Sequence, residues 1–200
     1  METVLLSTTY FGPVQWYQKL HRYDEAVVDI HESFPKQTYR NRCLIATTNG
    51  IQALTVPVVH DDGNIVNGIR ISDHGNWRHL HWQALQSAYG ESPFFEYYED
   101  DLRPFFTEHN WERLTDYNDA ICRKMCELLD IHPTIHPTTE YTPHHPADFR
   151  EVINPKHPGK DPDFIPRPYY QVYQQKYGFL PNLSILDLLF NMGPESIFYL

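Results

Sequence analysis

Apolar and polar positions along this chain change period several times, and each period predicts an element. Val4 to Thr9 is a short apolar run, read as a buried strand. Gly12-Pro13 ends it and starts a helix, with proline in its favoured first turn. Trp16, Tyr17, Leu20 and Tyr23 then recur at helical spacing and give that helix an aromatic face. Ala26 to Ile30 predicts a second strand. A strand, a helix and a strand packed so closely in sequence are the signature of a βαβ unit with parallel strands. Cys43 to Thr48 and Ile51 to Val59 flank Asn49-Gly50, two residues that accept positive φ, and so predict a hairpin. Pro57 puts its missing donor on an unpaired edge. Asp61-Asp62-Gly63-Asn64 predicts a turn, and Ile65 to Ile71 a third antiparallel strand.

From Asn76 the period becomes helical. Asn76 is a candidate cap and Gly90 a left-handed stop. Trp77, His81, Ala84 and Ala88 share one face, which turns His81 toward the core or a pocket. Pro93 to Phe106 is aromatic and partly helical, and Asn110 to Leu129 is the longest predicted helix. Residues 131–168 differ in kind: proline recurs, histidine is frequent and apolar runs are absent, which predicts a long irregular segment. Tyr169 to Phe179 predicts a helix stopped by Gly178, and Ser184 to Met192 a buried one. Ser184 and Asp187 have capping-box spacing, which would commit the carboxylate to a backbone donor. Ile197 to Leu200 predicts a last strand. Together these elements predict one α/β domain over residues 1–200: a mixed sheet with a βαβ start, a hairpin and meander insertion, and several packing helices.

Composition narrows the function. Two hundred residues with 41% hydrophobic content suit a single full core. A formal net charge of -10 argues against a nucleic-acid partner, which needs a basic face. No apolar run has membrane-spanning length, and the N-terminus lacks the basic and apolar regions of a signal peptide. Cys43, Cys122 and Cys126 are odd in number and read as reduced core thiols. These features predict a cytoplasmic protein.

The tightest basic cluster lies in Lys36-Gln37-Thr38-Tyr39-Arg40-Asn41-Arg42. On an extended chain Arg40 and Arg42 project from one face. Two adjacent guanidiniums need anions between them. Either Asp and Glu side chains elsewhere in the chain neutralise them, or they clamp the carboxylate or phosphate of a small ligand. Tyr10 lies just past the first strand, where open α/β sheets place their ligand crevice. Tyr10, Gln37, Arg40, Asn41, Arg42 and His81 form the candidate substrate site, with His81 as its candidate acid or base. The bland reading, which weighs more, makes His81 a core histidine donating to a backbone carbonyl. The remaining histidines lack zinc-site spacing, so no metal is predicted, and no cofactor is assigned. Phosphate loops, a nucleophile elbow and paired catalytic carboxylates are absent as motifs.

Several short motifs carry a further signal. Tyr10-Phe11-Gly12-Pro13-Val14-Gln15-Trp16-Tyr17, Lys36 to Arg42, Asn49-Gly50, Leu54-Thr55-Val56-Pro57-Val58, His81-Trp82 and Phe179 to Asn191 stand in an order that resembles the WbqC-like family. Many relatives carry Gln-Pro-x-Tyr-Leu-Pro where this chain has Ser7-Thr8-Thr9-Tyr10-Phe11-Gly12-Pro13. The resemblance implies a part in bacterial surface-polysaccharide or amino-sugar modification, with amino-acyl transfer to a nucleotide-activated sugar as the finer expectation. The implied partner is then a small molecule of the nucleotide-sugar kind. The competing expectation, from the lack of a recognisable nucleophile, is a non-catalytic binding or scaffold protein.

Overall fold

The computed structural model describes residues 2–60 and 63–200. Strand β1 (Thr3–Ser7), helix α1 (Val14–Arg22) and strand β2 (Glu25–Asp29) form the expected βαβ unit. The two strands pair in parallel, with Thr3 opposite Glu25 and Ser7 opposite Asp29. Trp16, Tyr17 and Leu20 bury the aromatic face of α1, whose first residue follows Pro13.

After β2 come the hairpin β3 (Arg42–Thr47) and β4 (Gly50–Thr55), then the short pair β5 (Val58–His60) and β6 (Ile69–Ile71). Both pairs are antiparallel, but each is a separate two-stranded sheet and neither joins the parallel one. Pro57 lies between β4 and β5, where it supplies no ladder donor. In the hairpin Thr47 faces Gly50, so Thr48 and Asn49 form the loop and Gly50 alone takes positive φ, at 100°. The loop therefore sits one residue earlier than expected. The turn predicted at Asp61-Asp62 lies outside the described residues.

The second half is helical: α2 (Trp77–Tyr89), α3 (Phe95–Leu102), α4 (Pro104–Thr107) and α5 (Leu114–Leu128). Gly90 closes α2 with ordinary right-handed φ, not the left-handed one expected. Helix α5 starts at Leu114 rather than Asn110, and buries Leu114, Tyr117, Ile121 and Met125.

The 131–168 segment contains β7 (Thr134–Pro137), which joins β2 in parallel and completes a sheet of order β1-β2-β7. A four-residue edge strand bounded by prolines and largely exposed leaves no apolar run to read. The same segment returns to the opposite edge. Leu5 donates to the carbonyl of Ala147 at 2.9 Å and accepts from the amide of Phe149 at 3.0 Å. Irregular chain thus closes both sides of the sheet and leaves β2 at its centre.

Helix α6 is a single turn, Gln174–Tyr177, where a longer helix was expected; Gly178, at φ 70°, stops it as predicted. Helix α7 (Ile185–Met192) is buried nearly all round. Ser184 caps it by accepting from the amide of Leu186. The chain ends in a 3-10 turn over Gly193–Tyr199, not a strand. The amide of Ile185 bonds to the carbonyl of Gly12, and that of Ser184 to Leu44, so α7 locks the β1–α1 turn against β3.

Asp187 departs from its capping-box reading. Its carboxylate accepts from Tyr89 Oη at 2.9 Å, Tyr169 Oη at 2.7 Å and Gln171 Nε2 at 2.9 Å, and is only 1% exposed. Burial pushes its carboxyl up from the ordinary range against the pull of those three donors.

Candidate functional site

The structure divides the six residues singled out in the sequence. Tyr10 and His81 meet: the phenol lies 2.8 Å from His81 Nδ1, and both side chains are buried. Burial lowers the His81 pKa to about 4, against a smaller opposing pull from the Thr55 backbone. A neutral imidazole bonded to Tyr10 ties the β1–α1 turn to α2. Burial likewise pushes the Tyr10 phenol well up.

Arg40 lies before β3 and does not share a strand face with Arg42. It is buried, and its guanidinium is occupied on every side. Glu32 takes Nε at 2.8 Å and Nη2 at 2.5 Å, Ser7 Oγ takes Nη2 at 2.7 Å, and Thr38 Oγ1 takes Nη1 at 3.2 Å. Arg42 is partly exposed and donates to Thr55 Oγ1 at 3.0 Å. Asn41 Nδ2 caps the carbonyl of Val56 at 2.8 Å, and Gln37 stands exposed at φ 62°. Of the two readings of the arginine pair, the carboxylate reading describes Arg40. Replacing Arg40 with lysine keeps the charge but loses the fork, so the fold should lose about 1–3 kcal/mol. Arg42→Lys should stay within about 0.5 kcal/mol of the parent. Urea denaturation of both variants checks the contrast, and equal effects would contradict it.

Glu32 leads to a cleft that sequence reasoning missed. It opens beside the carboxyl end of β2 with a volume of about 790 Å³, and His31, Glu32, Tyr141, Asp148, Arg150 and Glu151 are among its lining residues. Asp29 ends β2 and the chain bends after it, so that His31 lines this cleft while Val28 and Ile30 line a different cavity. Beneath the cleft Thr138, just past β7, receives three contacts. Its Oγ1 lies 3.0 Å from His31 Nδ1, accepts from the amide of Ile30 at 3.1 Å, and donates to Asp29 Oδ1 at 3.1 Å. A carboxylate only accepts, so the threonine proton points at Asp29, and His31 Nδ1 must be the donor to Oγ1. That assignment leaves His31 Nε2 as a free acceptor. The amide of His31 also bonds to Asp29 Oδ1, at 2.9 Å, which fixes the residue's backbone.

Arg150 holds the other carboxylate oxygen. Its Nη1 reaches Asp29 Oδ2 at 2.5 Å, while Nη2 and Nε bind Asp148. Burial works to raise the Asp148 carboxyl, and the hydrogen bonds and charge of Arg150 outweigh it, so its pKa falls below the usual range. Burial pushes Glu32 up despite Arg40. Three carboxyl groups (Glu32, Asp148, Glu151) against one guanidinium (Arg150) among its lining residues give the cleft an acidic balance. Such a site suits amines and hydroxyls better than phosphate. Among the described residues no group of three or more His, Cys, Asp and Glu is placed to hold a metal.

Asp29 followed by His31 at the end of an apolar run was a legible signal, since an acid at an inward position of a buried strand needs a partner. Thr138, Asp148 and Arg150 carried none, because they stand in the irregular segment.

Comparison with known proteins agrees with the motif order. The WbqC-like protein family model matches residues 8–156 and 156–199, so the chain belongs to the WbqC-like family. An uncharacterized protein of Mycobacterium tuberculosis is 27% identical over 230 aligned positions, which cover 100% of this chain and 98% of that protein. No solved structure matches the chain. No helix among the described residues is long and apolar enough to cross a membrane.

Proposed function

We propose that this WbqC-like protein is a cytoplasmic transferase that modifies an amino-sugar, with a nucleotide-activated sugar as its substrate class. The observation that carries the reading is the His31–Thr138–Asp29 relay, which leaves Nε2 of His31 free at the mouth of a sugar-sized acidic cleft. A base at that atom takes the proton from an attacking amine or hydroxyl as its bond to the acyl carbon forms. It then returns the proton to the leaving group as the old acyl bond breaks. Asp148, Glu151 and Tyr141 offer acceptors to the sugar's amine and hydroxyls. Tyr10, Arg40, Asn41 and His81 act in this reading as the wall that holds Glu32 and the β1–α1 turn in place, with Arg42 and Gln37 outside it. The family resemblance supports the amino-sugar, and the acidic balance of the cleft supports its amine as the group received.

The test is acyl transfer to nucleotide-linked amino-sugars, followed by mass spectrometry across a panel of acyl donors. His31→Gln should lower the rate by about 10²–10⁴-fold with the melting temperature unchanged. Thr138→Val should lower it less and shift its pH profile, because the tautomer is no longer held. Full activity in His31→Gln would overturn the mechanism. Saturable binding of the sugar without turnover by any donor would make the chain a binding protein.

A further inference from the structure

The charges that line the acidic cleft are not equally available to a ligand. Both carboxylate oxygens of Glu32 are taken by Arg40, Oε1 by Nε and Oε2 by Nη2. Both oxygens of Asp148 are taken by Arg150, through Nε and Nη2, and the remaining nitrogen of that guanidinium reaches Asp29. Glu151 differs. It lines the cleft, it is exposed, and its carboxylate has no hydrogen bond or ion pair among the described residues. Its place in the chain is nonetheless fixed. The amide of Arg150 bonds to Asp148 Oδ1 at 3.0 Å, that of Ile153 to the carbonyl of Phe149 at 3.0 Å, and that of Phe149 to Leu5 of β1. Apolar surface gathers at the same cleft. Tyr141 is 55% exposed and Ile65 43%, and both line it together with Pro35 and Pro143. The Arg150 guanidinium lies 5.6 Å from the centroid of the Tyr141 ring, which orients that ring.

We propose that Glu151 and Tyr141 form the acceptor subsite of this cleft: Glu151 is the counter-ion that selects a protonated amine, and Tyr141 is the platform for the pyranose ring that carries it. The inference rests on the amino-sugar reading and names the two residues that set its specificity. A sugar hydroxyl can bond to any acceptor in the cleft. An ammonium gains more, because hydrogen bonds between ionised partners are about twice as strong as neutral ones, but only from a carboxylate whose charge is not already met. Glu32 and Asp148 are met, and Glu151 is not. An N-acetyl group brings no charge and forfeits the gain. The ring supplies the second half of recognition. The C–H face of a pyranose is its apolar side, and laying it on an exposed aromatic ring takes apolar surface of both out of water. Since Arg40 and Arg150 are already engaged with carboxylates, the anionic end of a nucleotide-sugar points away from Glu151.

The test is binding of methyl glucosaminide and methyl glucoside to the full chain, by calorimetry and saturation-transfer NMR slightly below the pKa of the sugar amine. The parent protein should prefer the glucosaminide about tenfold, and added salt should erode that preference. Glu151→Gln, which keeps the size and removes the charge at an exposed position, should bring the two sugars within about twofold with the melting temperature unchanged. Tyr141→Ala should weaken both sugars by a similar factor and leave their ratio intact. No binding of either sugar at millimolar concentration, no preference in the parent, or a preference that survives in Glu151→Gln would overturn the proposal. A Tyr141→Ala protein that binds the glucoside as the parent does would overturn the platform. None of these readouts needs turnover. An amine preference lost in Glu151→Gln, with no acyl transfer from any donor, would keep the subsite and sink the transferase. Turnover together with a preference that Glu151→Gln retains would do the reverse.

Discussion

Replacing Asp187 with alanine should lower the stability of the fold by about 3–5 kcal/mol. The carboxylate is the one acceptor that Tyr89, Tyr169 and Gln171 share, and those residues come from α2 and from the chain just before α6. Tyr89 Oη in turn accepts from the amide of Ala46 in β3 at 3.3 Å. Truncation leaves three buried donors facing a void, and each orphan costs about 1–3 kcal/mol before partial relaxation. Asp187→Asn keeps the volume but turns an amide donor toward groups that are themselves donors, so it should also destabilise, by about 1–3 kcal/mol. Denaturant melts of both variants decide the matter. If each stays within about 0.5 kcal/mol of the parent, as a surface change would, the carboxylate is not the hub that its contacts describe. A capping-box role makes a different prediction: Ser184→Ala and Asp187→Ala would then cost similar amounts near 1 kcal/mol.

How much of this was legible beforehand depended on whether an element's signal is local. The βαβ start was readable because its strands are buried runs and α1 shows its aromatic face at regular spacing. The hairpin was readable because Asn49-Gly50 is turn chemistry, although the loop settled one residue earlier. Strand β7 was not, since an edge strand paired on one side and exposed on most positions needs no apolar pattern. The same limit governs the cleft. Asp29 ends β2 and His31 stands two residues beyond it, and an inward acid at the end of a strand already asks for a partner. What makes them a relay is Thr138, and what balances Asp29 is Arg150, 109 and 121 residues away. No spacing rule links those positions. Arg40 misled for a related reason: two arginines two apart suggest one face only if the chain is extended, and β3 begins at Arg42. The nearby Glu32 that neutralises Arg40 was within eight residues, yet nothing local announced that the loop between them folds back.

His81 gives the second large effect, as a loss of stability in mild acid. Its pKa in the folded protein is about 4, against 6.5 for a free imidazole, because burial disfavours the charged form. Between those values the unfolded chain takes up a proton that the native state does not. Stability therefore rises with pH across the window and is lost as pH falls from about 6.5 toward 4. The full displacement corresponds to about 3 kcal/mol. His81→Gln isolates the effect, because an amide can pair with the Tyr10 hydroxyl without titrating. The stability advantage of the parent over the variant, measured in urea at pH 7 and at pH 4.5, should shrink by about 2–3 kcal/mol at the lower pH. The carboxyl groups that burial pushes up, Asp187 and Glu32 among them, are common to both proteins and cancel in the difference. An advantage that stays constant across that range would mean that His81 takes its proton in the folded state as readily as in the unfolded one. Its imidazole would then be open to solvent and available as an acid or base.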